Sequence, residues 1–500
     1  MTRLGPSTRY SAYALGLLTV INVVNYLERN AIFALFEPIK HDLNLTDTHL
    51  GWLGSAYILV FSLAALPVGL MSDLRSRTAV TAFGVGLWSI ATSLGGLVRS
   101  FPGLLTTRAA VGLGGAAANA ASTALVADYF PGARRALAMS IFTAGLALGG
   151  VLGILAAGQL EALYGWRVTF MALGLPGFGL ALLVARLRDP LKEGPMPSVL
   201  AQLRHLELGT VAILSACRWI VAGLATAAVA AWVADRQFGA DSAADGAIFA
   251  IFAGLGLAIN IVVWVRQAAR NEGAGEELEQ GLETAFEGLL RAMRLVFRTP
   301  TLVYVFVGGA MISFGMNGLI GWAPVFMTRE LHLTVAAATV LLGKWGLVAG
   351  IAGTLTGGLL ADWLQPRYHG ARVLIGSSGF LIGGPLAIWL LTIRDLELFV
   401  PVFAVAFFFL TWYNGPLTTV IFDVVPAKVS TTVAGAFLAF IHLAGDAVAL
   451  PLVGFLSDTF GIGTAVLVLP AMALLGGVVA MGALRTVKAD MERVVLASTS

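Results

Sequence analysis

The residues of this sequence that could do chemistry are ionisable side chains set inside long apolar runs. Glu28 and Arg29 stand late in one run, Arg108 opens another, Lys344 lies in a third, and His442 and Asp446 share a fourth. An ionisable group at membrane depth costs on the order of 3 kcal/mol by insertion scales, so it persists where it faces a cavity or a partner. Glu28 and Arg29 are sequence neighbours and cannot share a helix face. A carboxyl's proton affinity responds to burial and to nearby cations, which makes Glu28 the first candidate for a site that loads and releases a proton, with Arg108 as its cation. A static ion pair that only fixes the helices is the plainer alternative. His442 and Asp446 are four apart, hence on one face, and an imidazole beside a carboxylate can share a proton near neutral pH.

The same positions could hold a substrate. Arg108 could grip an anionic headgroup bidentately, with Arg29 as a second cation. Lys344 either snorkels outward or faces a cavity as a substrate cation. Asn317, Trp322, Trp412, Tyr413 and Asn414 combine apolar bodies with polar tips and are candidates for substrate contact. Enzymatic chemistry finds little to work with. Gly343-Lys344 is followed by Trp345 rather than Ser or Thr, so there is no phosphate loop, and no His-Glu-x-x-His run or dinucleotide glycine fingerprint occurs. The 6 histidines are dispersed and Cys217 is alone, so the expectation is no enzyme, no metal and no cofactor.

The elements that must position these residues are membrane helices. Of 500 residues, 58% are hydrophobic and 12% charged, where a soluble domain carries about 25% charged residues. Net charge is +3 with the bases scattered, which argues against a nucleic-acid surface. Runs of about 20 apolar residues fall near 11–36, 48–71, 78–98, 102–128, 134–160 and 167–187, then near 209–233 and 246–265, then near 301–327, 335–361, 372–393, 398–424, 429–456 and 462–484. With a cytoplasmic N-terminus, most Lys and Arg residues fall on the cytoplasmic side, as the positive-inside rule asks. Both termini are then cytoplasmic and the first span is retained in the inner membrane.

The chain also repeats itself. Gly69-Leu70-Met71-Ser72-Asp73 matches Gly358-Leu359-Leu360-Ala361-Asp362, and Asp128-Tyr129-Phe130-Pro131 recurs as Asp423-Val424-Val425-Pro426. Bases follow each: Arg75, Arg77 and Arg134 in the first half, Arg367 and Lys428 in the second. Gly454-Phe455-Leu456-Ser457-Asp458 is a third echo on the opposite side. Two like-oriented halves of six spans account for this, with an even number of spans inserted between them. The expected fold is an all-α integral membrane protein with a six-helix bundle at 1–190, a linker with two inserted spans and an interfacial helix at 191–298, a second bundle at 299–486, and a cytoplasmic tail at 487–500. In the linker, Leu282, Phe286, Leu289, Leu290, Met293 and Phe297 fall on one helical face, which can lie along the membrane surface. Asp73, Arg75, Arg77, Asp128, Arg134, Asp362, Arg367 and Asp423 sit at cytoplasmic helix ends, where an aspartate can cap a neighbouring helix and pair with bases as a gate. Glycine rows Gly145, Gly149, Gly153 and Gly346, Gly350, Gly353, Gly357 suit close helix approach.

Two parallel repeats of six helices resemble the major facilitator superfamily, and Gly69, Asp73, Arg75 and Arg77 are similar to its loop signature. Within it the chain looks like the spinster-like transporters: Asn25-Tyr26-Leu27-Glu28-Arg29, Arg108 with Gly112 and Gly114, and His442-Leu443-Ala444-Gly445-Asp446-Ala447 resemble the family's runs. That family usually places a glutamate where this chain has Gly115, Lys344 is foreign to its pattern, and Gly150 replaces the proline of the superfamily's antiporter signature. The resemblance implies alternating access with a central cavity between the halves, the inserted pair outside it, and a monomer working on a lysolipid-like or organic-anion substrate, coupled to protons. A drug/proton antiporter or nutrient symporter is the alternative within transport, and a non-transporting sensor or scaffold the alternative outside it.

Overall fold

A computed structural model describes residues 8–74, 76–131, 134–189, scattered positions between 218 and 263, and 292–499. All regular elements among them are helical. The chain forms two compact units, Met1–Leu45 with Trp52–Leu282, and Thr46–Gly51 with Glu283–Ser500. The first holds α1 (Thr8–Ala34), α2 (Phe36–Leu43), α3 (Asp47–Leu74, its first turn excepted), α4 (Arg77–Gly95), α5 (Phe101–Tyr129) and α6 (Arg135–Ala185). The second holds α7 (Pro300–Glu330), α8 (Val335–Leu364), α9 (Ala371–Leu390), α10 (Leu396–Leu410), α11 (Pro416–Asp423) and α12 (Ala427–Ile441). A π-turn (His442–Asp446), α13 (Ala447–Phe460), α14 (Ile462–Ala465), α15 (Val468–Met481) and α16 (Val487–Thr499) complete it.

Ten helices among the described residues are long and apolar enough to cross a membrane. One of them, α6, has 51 residues and leaves helical geometry at Gly165, where φ is 76°. At 1.5 Å per residue a straight helix of that length would far exceed the roughly 30 Å of hydrocarbon. Glycine tolerates positive φ without a Cβ clash, so the chain breaks there, between the spans expected near 134–160 and 167–187. The span expected near 398–424 is split into α10 and α11. That near 429–456 is α12 and most of α13 joined through the π-turn.

Glycine rows set the helix separations. A Cβ on Gly149 or Gly153 of α6 would lie 2.2 Å from the carbonyl oxygens of Val23 and Leu27 on α1, so the two backbones touch. In the second unit, a Cβ on Gly353 of α8 would lie 2.0 Å from the Phe408 carbonyl oxygen on α10. Large side chains fill the space between helices: Trp88 and Phe170 in the first unit, Trp322, Phe326, Phe380 and Phe399 in the second, all fully buried.

Most of the inserted pair lies outside the described residues. Within it, a Cβ on Gly223 would lie 2.6 Å from the Gly256 Cα, so two backbones meet there. The end of the linker helix is described: Met293 and Phe297 are exposed while Ala292 and Val296 pack into a core with Leu302, Phe306, Val433 and Val487. Of the face read as apolar from the sequence, Met293 and Phe297 are exposed, and Leu282, Phe286, Leu289 and Leu290 lie outside the described residues. Residues 487–499 dock as α16, and Asp490, 3% exposed, accepts a hydrogen bond from the Thr301 amide at the start of α7.

Overpacking a close helix contact costs about 1–3 kcal/mol. Gly153→Val is therefore expected to lower the melting temperature of the purified protein, whereas Gly179→Ala, on the same helix with open space around its Cα, leaves it near wild type. Equal effects in a thermal unfolding series would contradict the assigned α1–α6 contact.

Candidate functional site

In the first unit, α1 brings Asn22, Asn25 and Glu28 to one face at three-residue spacing. Asn22 Nδ2 donates to the Phe142 carbonyl of α6 at 2.8 Å, which ties that face to the glycine row. Glu28 is 1% exposed, and no hydrogen bond reaches either of its carboxyl oxygens among the described residues. Trp88 and Thr92 of α4 stand close by without bonding geometry, their Nε1 and Oγ1 also buried and unpartnered. Arg108 of α5 lies within electrostatic reach of Glu28, fully buried, its guanidinium 4.9 Å from the Phe170 ring centroid and its Nε and Nη2 unpartnered. Sequence reasoning set Arg108 against Glu28 and put Arg29 on a different face of the helix. The Arg29 guanidinium is over the rings of Tyr26 and Tyr57, at 5.4 and 5.2 Å. Asn25, Tyr57, Trp88 and Thr92 complete this cluster; they escape a search for charge because they are neutral.

In the second unit the acid is fully engaged. Asp446 is completely buried; its Oδ2 meets His442 Nδ1 at 2.6 Å, and its Oδ1 accepts from Asn317 Nδ2 at 2.9 Å and from the Ser313 hydroxyl. The local cause is the π-turn, which opens the helix across His442–Asp446. Gly445 within it packs against the Ala310 carbonyl, bringing Asp446 onto α7. Tyr413 packs against Phe380 with the rings tilted and their centroids 5.2 Å apart, and lies within electrostatic reach of Asp446. The other candidates spread out. Trp322 is buried and donates to the Leu450 carbonyl at 3.2 Å, a packing role. Trp412 packs between Phe408 and Phe409. Asn414 donates to Thr354 at 3.2 Å, and Lys344 is exposed beside the Trp345 ring.

At the helix ends the two units repeat one interaction. Arg77 at the start of α4 pairs with Asp128 at the end of α5, and Arg372 at the start of α9 pairs with both carboxylate oxygens of Asp423 at the end of α11, the latter two contacts at 2.5 and 2.6 Å. Arg372 also reaches Asp362 at 3.4 Å. Each pair is separated by 51 residues. Here the structure corrects the sequence reading: the counterpart of Arg77 is Arg372, not Arg367, which donates to the Trp363 carbonyl at 3.0 Å and lies over that indole. Asp189, unforeseen, accepts from the Arg77 amide at 3.0 Å and from Ser76 Oγ at 3.1 Å, capping α4. Arg134 is exposed, Arg75 lies outside the described residues, and so does the Asp73 side chain.

The third echo has a different partner. Asp458 accepts from the Asp47 and Thr48 amides at 2.8 Å and from Thr48 Oγ1 at 2.6 Å, capping the first turn of α3. Asp47 receives Arg329 through two bonds of 2.6 and 2.8 Å and Ser457 at 2.5 Å. Asp47 and Arg329 carry no sequence signal of their own, since both look like ordinary charges at span ends.

Residues 18–234 match the family described as Major Facilitator Superfamily, and residues 261–388 the Organic Anion Transporter Polypeptide (OATP) family. The chain is 25% identical over 192 residues, 38% of its length and 32% of the relative's, to protein spinster of Drosophila melanogaster. The solved structure of a bacterial homolog to the human lysosomal transporter Spinster, inward-facing and unoccupied, superposes over 97% of this chain and 99% of that one, with TM-score 0.71 at 20% identity. This chain is similar to the major facilitator superfamily over residues 18–234 and, over part of its length, to spinster proteins. It is also 34% identical over 197 residues, 39% of its length and 46% of the relative's, to an MFS-type efflux pump of Mycolicibacterium smegmatis. The matched segments span less than half of these curated relatives. The superfamily is one of membrane transporters rather than enzymes, and the 20%-identical structure speaks for the fold alone.

A charged hydrogen-bonded pair contributes about 2 kcal/mol. Arg372→Ala is expected to lower stability by that order and Arg367→Ala by no more than about 0.5 kcal/mol, the range of an ordinary surface change. Thermal unfolding of the two variants checks this, and a reversed order would restore Arg367 as the repeat partner of Arg77.

Proposed function

We propose that this chain is a secondary transporter that carries an organic anion or a lysolipid-like amphiphile across the cytoplasmic membrane by alternating access, with a proton exchanged at Glu28. The observation that carries this reading is the Glu28 carboxyl, wholly buried and without a hydrogen-bond partner among the described residues, within electrostatic reach of Arg108. Holding an ionised carboxylate in that state costs several kcal/mol. Its charge has to be met by Arg108, by a ligand or by a proton. Tyr57, Arg29 and Tyr26 are the other titratable and charged groups of the cluster. A group whose partner changes with conformation is what ion coupling requires. His442–Asp446, with every Asp446 oxygen engaged, serves as the anchor of the second unit and is second in line for the proton. The match of residues 261–388 to an organic anion transporter family supports an anionic cargo, and the spinster relative a lipid-like one.

In this reading the Arg77–Asp128 and Arg372–Asp423 pairs belong to the cytoplasmic gate, both termini are cytoplasmic and the unit of function is a monomer. Export of a drug in exchange for protons is the second reading, supported by likeness to an efflux pump.

The test is transport by proteoliposomes holding the full chain, with radiolabelled sugar acids and lysophospholipids as probes. One pH unit supplies about 1.4 kcal/mol per proton, or tenfold in accumulation. Wild type is expected to respond to the gradient at that scale. Glu28→Gln keeps shape and hydrogen bonding, and should lose the response while retaining exchange of labelled for unlabelled probe. An unchanged pH response in Glu28→Gln would make Glu28 structural.

A further inference from the structure

The two helix-end ion pairs are alike, but their settings are not. In the first unit the Arg77–Asp128 pair belongs to a closed ring. Asp128 and Tyr129 are consecutive at the end of α5, and Arg188 and Asp189 are consecutive just beyond α6. Asp128 takes the Arg77 side chain, Asp189 accepts from the Arg77 amide at 3.0 Å, and the Tyr129 hydroxyl donates to the Arg188 carbonyl. Contacts and peptide bonds thus close a circuit from Arg77 through Asp128, Tyr129, Arg188 and Asp189 back to Arg77. Tyr10 of α1 braces it. Its hydroxyl accepts from the Arg188 amide at 2.8 Å, and its ring lies 5.5 Å from the Arg188 guanidinium. Water reaches this ring, since Arg188 is exposed and the Arg77 and Asp128 side chains keep 16% and 19% of their surface.

In the second unit the Arg372–Asp423 pair has an apolar setting. The step of 295 residues that carries Asp128 to Asp423 also carries Tyr10 to Val305 and Tyr129 to Val424. Gly165 and Gly461, with φ of 76° and 79°, are 296 apart, and that step carries Arg188 to Leu484. Val305 and Val424 are buried in one core with Val373, the neighbour of Arg372, and Leu484 packs against it. Asp189 falls on Arg485, a base that cannot accept from an amide. The Arg372 amide donates instead to the Gln365 side chain at 3.3 Å.

Separating hydrogen-bonded groups where water can enter exchanges one set of bonds for another at small net cost. Separating apolar side chains exposes hydrocarbon with nothing in exchange. A closed network also loosens together, because each member holds the next in place. We propose that the ring is a catch: it sets Arg77 against Asp128 and opens as one unit, while the apolar setting keeps Arg372–Asp423 closed. Tyr10, Tyr129, Arg188 and Asp189 are then positioning residues for Arg77. For its part in a transport cycle this rests on the gate reading above; for its opening it stands on the ring.

The experiment is hydrogen–deuterium exchange of the purified full chain in lipid nanodiscs, because the Arg77 and Arg188 amides are both donors within the ring. They are expected to exchange at one rate, within about twofold, and at least about tenfold faster than the Arg372 amide, as one local opening requires. Tyr10→Phe removes a single hydroxyl, the acceptor of the Arg188 amide, whereas the Arg77 amide is bound to Asp189. It should nevertheless speed exchange at both amides by about fivefold, the worth of one hydrogen bond, and leave Arg372 unchanged. Tyr129→Phe, which removes the other hydroxyl on Arg188, should do the same. Faster exchange at Arg188 alone in Tyr10→Phe would overturn the proposal, since the contacts are then independent. So would an Arg372 amide that exchanges as fast as Arg77 in wild type. Exchange needs no substrate, so the two readings fail separately. A common opening with no transport of any probe removes the transport reading, and a purely local effect of Tyr10→Phe with transport intact removes the catch.

Discussion

Where these helices lie in lipid there is no bulk water to satisfy a polar group, and each buried one must find its partner inside the protein. That constraint sorts the polar residues of the chain more sharply than charge does. At the helix ends, Arg77 pairs with Asp128 and Arg372 with Asp423, and Asp458 and Asp189 accept from the amides of helix starts. In the middle of the second unit, Asp446 is saturated by His442, Asn317 and Ser313. In the middle of the first, the debt is left open at Glu28, Arg108, Asn25, Tyr57, Trp88 and Thr92. Buried polar groups without partners are rare in folded proteins and ask for an explanation. The six gathered in the first unit are the ground for the proposed site.

The two units solve one packing problem with opposite polarity. Each packs its first long helix against a glycine of a later one: Gly149 and Gly153 of α6 on α1, Gly445 of the π-turn on α7. In the first unit the buried acid sits on the first helix, and in the second on the later one. The same helix pair therefore offers an acid from either side, and one of the two is locked. A locked acid fixes geometry at the cost of responsiveness; an open one responds because nothing holds it.

How much of this the sequence tells follows from the range of each interaction. Hydropathy alone marks the spans, and the gap between two runs falls where Gly165 takes a positive φ. The His442–Asp446 contact is legible because it is local, four residues on one helix. Long-range pairings are legible only through the repeat. Asp423 follows Asp128 by 295 residues, and the same step carries Arg77 to Arg372; the eye instead finds Arg367, which follows the Gly358–Asp362 echo in sequence but turns back onto Trp363. Asp47 and Arg329 meet across 282 residues with no periodicity to announce them. Neutral groups such as Asn25 and Tyr57 become visible only when their missing partners are.

The central claim of the proposed function is that one buried carboxyl, Glu28, changes its protonation. Infrared difference spectroscopy between acidic and alkaline buffer reads protonated carboxyls directly in the intact protein in lipid. The account predicts a carboxyl signal in wild type that is absent in Glu28→Gln and present in Asp446→Asn. A signal that survives in Glu28→Gln and vanishes in Asp446→Asn would contradict it.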